Sequence, residues 1–170
     1  MGTTKSGRYL NTNGSRKSVS DYALVHSNEG DFAWSQIRRN GKPARQIRLA
    51  NGGHGQDSMD LLDKYHIKYN ITKTWPNGVR VGNVPNHKNK MKAKRNMQSW
   101  FPKSWTAKDI KRAGEHVAGL KHNRRTPDGK PIYGVYKGVR VGVIRTKGRI
   151  ATIFPDVDQS SVVRKGKKHK

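Results

Sequence analysis

The chain contains no cysteine, which rules out disulfides and thiolate metal sites and makes the fold indifferent to redox compartment. Passage between oxidising and reducing surroundings would leave it intact. Carboxylates are scarce as well: 11 Asp plus Glu face 36 Lys plus Arg, a formal charge of +25 over 170 residues. An excess this large excludes a neutral globular role and points to a polyanion, either nucleic acid or an anionic membrane surface. No run of about 18 apolar residues is present, and no lipid-facing amphipathic segment stands out. Nucleic acid is therefore the expected partner, without membrane insertion. Met1 to Gly7 lacks the hydrophobic stretch of a signal peptide, so any export is expected to depend on other sequence.

Apolar residues make up only 32% of the chain, enough for one ordinary domain with loose ends. Residues 1–46 read as a linker and poorly defined N-terminal segment, with at most one short helix around Phe32, Trp34 and Ile37. Residues 47–159 read as the folded domain, and residues 160–170, ending in Arg164 to Lys170, as a solvated basic tail.

Within the domain, Met59, Leu61, Leu62 and Tyr65 have helical spacing, with Asp57 and Asp60 near the start where the helix dipole favours negative charge. Ile67, Tyr69 and Ile71 alternate with polar residues and lead through Pro76-Asn77-Gly78 into Val79 and Val81, which predicts a hairpin with one buried face. Thr106 is expected to cap a helix whose Ile110, Ala113, Val117 and Leu120 form an apolar stripe. Three antiparallel strands follow, over residues 133–136, 139–144 and 150–154. The peptide Gly78-Val79-Arg80-Val81-Gly82 recurs letter for letter from Gly138 to Gly142. Two related sheet lobes or chance similarity between Val-rich hairpins explain it equally well. The expected fold class is α+β, with helices packed on two small antiparallel sheets.

Chemistry concentrates in two loops. His54 lies in Asn51-Gly52-Gly53-His54-Gly55 and His87 in Asn83-Val84-Pro85-Asn86-His87-Lys88, neither on a periodic apolar face. Imidazole titrates near neutrality, so a pair in a basic cleft can act as base and acid on RNA without a metal. His26, His66, His116, His122 and His169 stand in settings that argue against catalysis. Between Lys64 and Lys108 there is no acidic residue, while Lys88, Lys90, Lys92, Lys94, Arg95 and Lys103 follow His87. Such a one-signed run favours a phosphate track over a merely solvated face. Trp75, Trp100, Phe101 and Trp105 interleave with it; some must be core, and one could stack on an unpaired base. Asp57, Asp60 and Asp63 read as a solvent-facing stripe rather than a cation site. A His-Asn-His metal nuclease using Asn86, His87 and Asn89 lacks a convincing ligand set.

The ordered set Gly52-Gly53-His54, Asn86-His87-Lys88, Trp100-Phe101-Pro102-Lys103-Ser104-Trp105 and Ile150-Ala151-Thr152-Ile153-Phe154-Pro155 resembles the bacterial EndoU nuclease domain over roughly residues 47–159. That family includes C-terminal modules of polymorphic secreted toxins. The resemblance implies an EndoU-like fold and cleavage of RNA to a 2′,3′-cyclic phosphate by two histidines and a lysine, with no cofactor or metal. It places His54 and His87 as the acid/base pair, Thr152 as a base-pocket hydroxyl, and Phe154 where the family has a tyrosine. Lys103 fits the order of elements best as the catalytic lysine, with Lys92 or Lys88 as substitutes; Lys88, Lys90, Lys92 and Ser104 are the further candidates for substrate contact.

The resemblance also implies a cognate acidic immunity protein, and secretion within a larger toxin that acts in the target-cell cytoplasm. RNA, with tRNA as one candidate, is the expected substrate. The alternatives are a DNA-cleaving nuclease of the same fold that uses a metal, and a basic nucleic-acid-binding module without catalysis.

Overall fold

Thr106 and Asp109 close a capping box: the Asp109 amide donates to Thr106 Oγ1 at 3.3 Å and the Thr106 amide to Asp109 Oδ2 at 2.8 Å. This local signal starts a helix over Ala107–Gly119 whose Ile110, Ala113 and Val117 are fully buried. The helix packs on an antiparallel sheet formed by strands over Ile132–Tyr136, Val139–Thr146 and Arg149–Pro155, with the second in the centre. The computed structural model describes residues 13–163. In chain order the elements are α1 (Asp21–Asn28), β1 (Asp31–Arg39), β2 (Lys42–Asn51), α2 (Gln56–Lys64), β3 (Asn70–Thr74), β4 (Arg80–Asn83), α3 (Lys90–Lys94), β5 (Gln98–Trp100), α4, which is the capped helix, a 3-10 turn at Lys121–Asn123, and the three strands β6, β7 and β8.

The α+β class stands, but there are three antiparallel sheets rather than two: β1-β2, β3-β4-β5 and β6-β7-β8. The third sheet comes from the segment assigned to a linker. The expected boundary near residue 47 falls inside β2, and α1 contributes Ala23 and Leu24 to the main core. A signal for this hairpin was present. Asn40 (φ 54°) and Gly41 (φ 78°) form a two-residue turn between the paired Arg39 and Lys42, the chemistry that a tight hairpin requires. The short β5 was not expected either. At the opposite edge of the same sheet β3 begins at Asn70, leaving Ile71 exposed, while Ile67 packs into a small core with Leu49, Met59, Leu62, Val84 and Trp100. The tail from Arg164 to Lys170 lies outside the described residues.

The repeated peptide has a structural counterpart. Its copies begin at the turns leading into β4 and β7, the central strands of two three-stranded sheets. Val79, Val81, Val139 and Val141 all enter the same hydrophobic cluster, each contributing about 1.5–3 kcal/mol of burial. One core thus joins the two sheets. The loops after β2 and β4, together with β8, are held against it.

Candidate active site

The loop carrying His54 is set by glycine and by α1. Gly52 (φ 64°) and Gly53 (φ 75°) both occupy the left-handed region, and a side chain at Gly52 would run into the His26 carbonyl. That close approach allows three successive backbone bonds: the Gly53, His54 and Gly55 amides donate to the carbonyls of His26, Ser27 and Asn28 at 3.0, 2.6 and 3.0 Å. From the other side, Gln98 Nε2 donates to the Gly53 carbonyl at 2.9 Å, and the Phe101 amide to the His54 carbonyl at 2.7 Å. The imidazole is buried, and its Nδ1 donates to the Ser99 carbonyl at 2.8 Å. In the neutral ring Nε2 is consequently an unprotonated acceptor. Burial, with the Lys92 charge adding to it, holds the His54 pKa well below its ordinary value.

His87 has the opposite arrangement. Its Nδ1 accepts the Asn89 amide at 2.8 Å, so in the neutral ring the proton sits on Nε2, a buried atom with no hydrogen-bond partner in the protein. The loop is pinned by Arg48 of β2, whose guanidinium donates to the Asn86 and His87 carbonyls at 2.8 and 3.3 Å. Asn89 also caps α3, its Oδ1 accepting from the Met91 and Lys92 amides at 2.9 and 3.4 Å. The residue that fixes the His87 tautomer therefore also places Lys92. Burial, then Lys92, then Arg48 push the His87 pKa down to about 4. Burial alone pushes Lys92 down to about 8.

Among the expected lysines, Lys92 is the cation whose charge acts on both imidazoles. Lys103 and Ser104 instead occupy an exposed turn before α4, and Lys88 and Lys90 are exposed beside the His87 loop. The order of elements favoured Lys103; the fold brings Lys92 to the pair because α3 turns back under the loop it follows, the Val84 amide bonding the Lys92 carbonyl at 3.0 Å.

Thr152 and Phe154 project from the same face of β8, on the side opposite the core residue Ile153. The Phe154 ring lies 6.1 Å from the His54 ring and meets Tyr133 edge-on at 6.1 Å. Gly142 makes room for it, since a side chain there would strike the ring. Thr152 Oγ1 lies 3.2 Å from His26 Nε2, and His26 Nδ1 donates to Asp31 Oδ2 at 2.7 Å. His26 therefore lies beside Thr152 at the edge of the candidate site. Trp100 and Phe101 are fully buried and Trp105 nearly so, which removes them as base-stacking candidates. No three His, Asp or Glu side chains among the described residues are grouped as a metal site would need. Asp57 and Asp60 are separately engaged, by Asn28 at 2.8 Å and Gln56 at 3.1 Å.

A basic α+β domain that gathers two imidazoles of opposite tautomer and a half-buried ammonium has the equipment of a phosphodiester-cleaving protein. The family model of the bacterial EndoU nuclease matches residues 22–157, and the chain belongs to that family. No curated protein and no solved structure matches it. None of the described helices is long and apolar enough to cross a membrane.

Proposed function

We propose that this domain is a metal-independent endoribonuclease in which His54 is the base, Lys92 the acid, and His87 a hydrogen-bond donor to the phosphoryl group. The carrying observation is the pair of opposed backbone contacts, Nδ1 of His54 donating to Ser99 and Nδ1 of His87 accepting from Asn89. His54 Nε2 takes the proton of the ribose 2′-OH as the 2′-oxygen attacks phosphorus. With the His87 loop shifted enough to uncover its buried Nε2, the Nε2–H donates to a non-bridging oxygen as charge builds there. The bond to the 5′-oxygen breaks and that oxygen takes a proton from Lys92, leaving a 2′,3′-cyclic phosphate and a 5′-hydroxyl. With a pKa of about 8, Lys92 is mostly protonated at neutral pH yet gives up its proton readily. His87 is poorly suited to the acid role, because a second proton would have to sit on Nδ1 against the Asn89 amide.

Thr152 and Phe154 form the wall toward the base, and Lys88 and Lys90 supply phosphate contacts at the rim. Phe154 offers a ring but no hydroxyl, so selectivity rests on Thr152. We read the domain as the toxic module of a larger secreted protein that acts in the target-cell cytoplasm, where an acidic immunity protein would cover the cationic cleft. The strong positive charge supports the acidic partner, and the family match supports the nuclease within that reading.

The test is cleavage of matched RNA and all-deoxy oligonucleotides in EDTA by wild type, His54→Ala and His87→Ala, with the product ends identified. RNA-only cleavage to a cyclic phosphate, lost in both variants, is expected. DNA cleavage that EDTA abolishes would overturn the mechanism.

A further inference from the structure

The hairpin β1–β2 holds Arg38, Arg39, Lys42, Arg45 and Arg48 against one carboxylate, Asp31, which His26 engages. Its inner end is anchored: Phe32, Ile47 and Leu49 pack on the small core, and Arg48 holds the His87 loop. Farther out on the same face stands Trp34, paired across the hairpin with Ile47 and 58% exposed. The Arg45 guanidinium lies 4.8 Å from the centre of its ring. A large aromatic left this open, with cations around it and no apolar partner beyond the core, is not needed for folding.

Beside Trp34 lies a groove of about 680 Å³ lined by Arg39, Arg45, Lys64, Tyr65 and Lys68, and also by Pro85 and Asn86, the two residues before His87. The groove therefore borders the loop that carries a candidate catalytic histidine. Cations along a channel with an aromatic face set among them suit a single strand whose phosphates follow the basic residues while an unstacked base lies on the ring. Duplex would keep its bases away from Trp34.

We propose that this hairpin groove is a second substrate subsite, which binds unpaired RNA beyond the cleaved bond and uses Trp34 as its stacking platform. The proposal rests on the endoribonuclease reading of the same domain. Arg39, Arg45 and Lys68 take the phosphates, and the strand continues past Asn86 into the cleft between His54 and His87. Arg48 couples the two regions mechanically, because it lies on the hairpin and fixes the His87 loop.

The experiment is fluorescence anisotropy with uncleavable 2′-O-methyl RNA, comparing a trinucleotide with a strand about 12 nucleotides long, the length scale of an extended single-strand groove. Trp34→Ala should weaken the longer strand roughly tenfold and the trinucleotide much less, and Trp34→Phe should retain most of the affinity. The triple variant Arg39→Ala, Arg45→Ala, Lys68→Ala should lower the slope of log affinity against log salt by about 2 for the longer strand. Thermal unfolding of each variant confirms that the hairpin persists. If both variants bind the longer strand as wild type does, the subsite is wrong and the cleavage reading is untouched. Failure of wild type to bind either oligonucleotide would instead remove the RNA reading, and the subsite with it.

Discussion

His26 Nε2 and Thr152 Oγ1 lie 3.2 Å apart, joining α1 to β8 across the edge of the site. In the neutral ring Nδ1 donates to the Asp31 carboxylate, so Nε2 accepts from the threonine hydroxyl, whose oxygen lone pairs then face incoming donors. His26 is thus a positioning residue for Thr152. His26→Gln should lower kcat/KM about tenfold and shift base preference in the same sense as Thr152→Val. In a double-mutant cycle the two losses should fall short of additive by more than about 0.5 kcal/mol. Full additivity would show that the contact has no part in recognition.

The choice between Lys92 and Lys103 is decided by chemistry rather than by loss of charge alone. Lys92→Ala should cost about 10² to 10⁴ in kcat on ordinary RNA, the usual worth of a general acid, whereas Lys103→Ala should stay within about threefold. A substrate with a 5′-sulfur leaving group needs no protonation, so the Lys92→Ala defect should shrink there to a few fold. A defect equally large on the sulfur substrate would reassign Lys92 to charge stabilisation.

Acid should destabilise the fold through His87. Its pKa falls from 6.5 to about 4 on folding, so between those values the unfolded chain binds the proton and the native state does not. Stability rises with pH wherever the unfolded state holds more protons. This contribution is complete above about pH 6.5 and is lost as pH falls toward 4, to a total on the order of 3 kcal/mol. His54, held down in the same direction, deepens the fall. Urea denaturation at stepped pH should therefore be flatter for His87→Gln than for wild type; parallel curves would contradict the burial of a neutral imidazole.

Removing the Lys92 charge should be felt by its neighbours. In Lys92→Met the His87 pKa, followed by NMR of the ring protons, should rise above about 4, because one of the charges holding it down is gone. The native state should gain stability below about pH 8, where wild type keeps a charged, partly desolvated ammonium. An unmoved His87 titration would mean that the two side chains do not share the site.

Gly52→Ala tests the loop. The left-handed φ of 64° and the His26 carbonyl beside the missing side chain together predict a loss on the order of 2–4 kcal/mol. Activity should fall further than stability, since His54 moves with the loop. Wild-type activity in a folded Gly52→Ala protein would show that the His54 position is not set there.

Local chemistry made much of the fold legible. Thr106, the stripe from Ile110 to Val117 and the three strands over residues 133–136, 139–144 and 150–154 each lie within a few residues of where they are expected. The β1–β2 hairpin went unread because its apolar alternation is confined to the inner ends, at Phe32 and Trp34 and at Ile47 and Leu49, while basic residues crowd the end around Asn40-Gly41. Strand β5 could not have been foreseen, since Gln98, Ser99 and Trp100 have no pattern of their own and are strand only because β4 pairs with them.

The sequence by itself determined the polyanion partner, through net charge, and the two glycine- and proline-marked loops that carry His54 and His87. It also determined the apolar faces that build the core. The tertiary structure alone decided which lysine joins the histidines, that His26 reaches Thr152, and which imidazole presents a bare Nε2. Those depend on single hydrogen bonds and buried charges between segments distant in sequence, and periodicity carries no information about them.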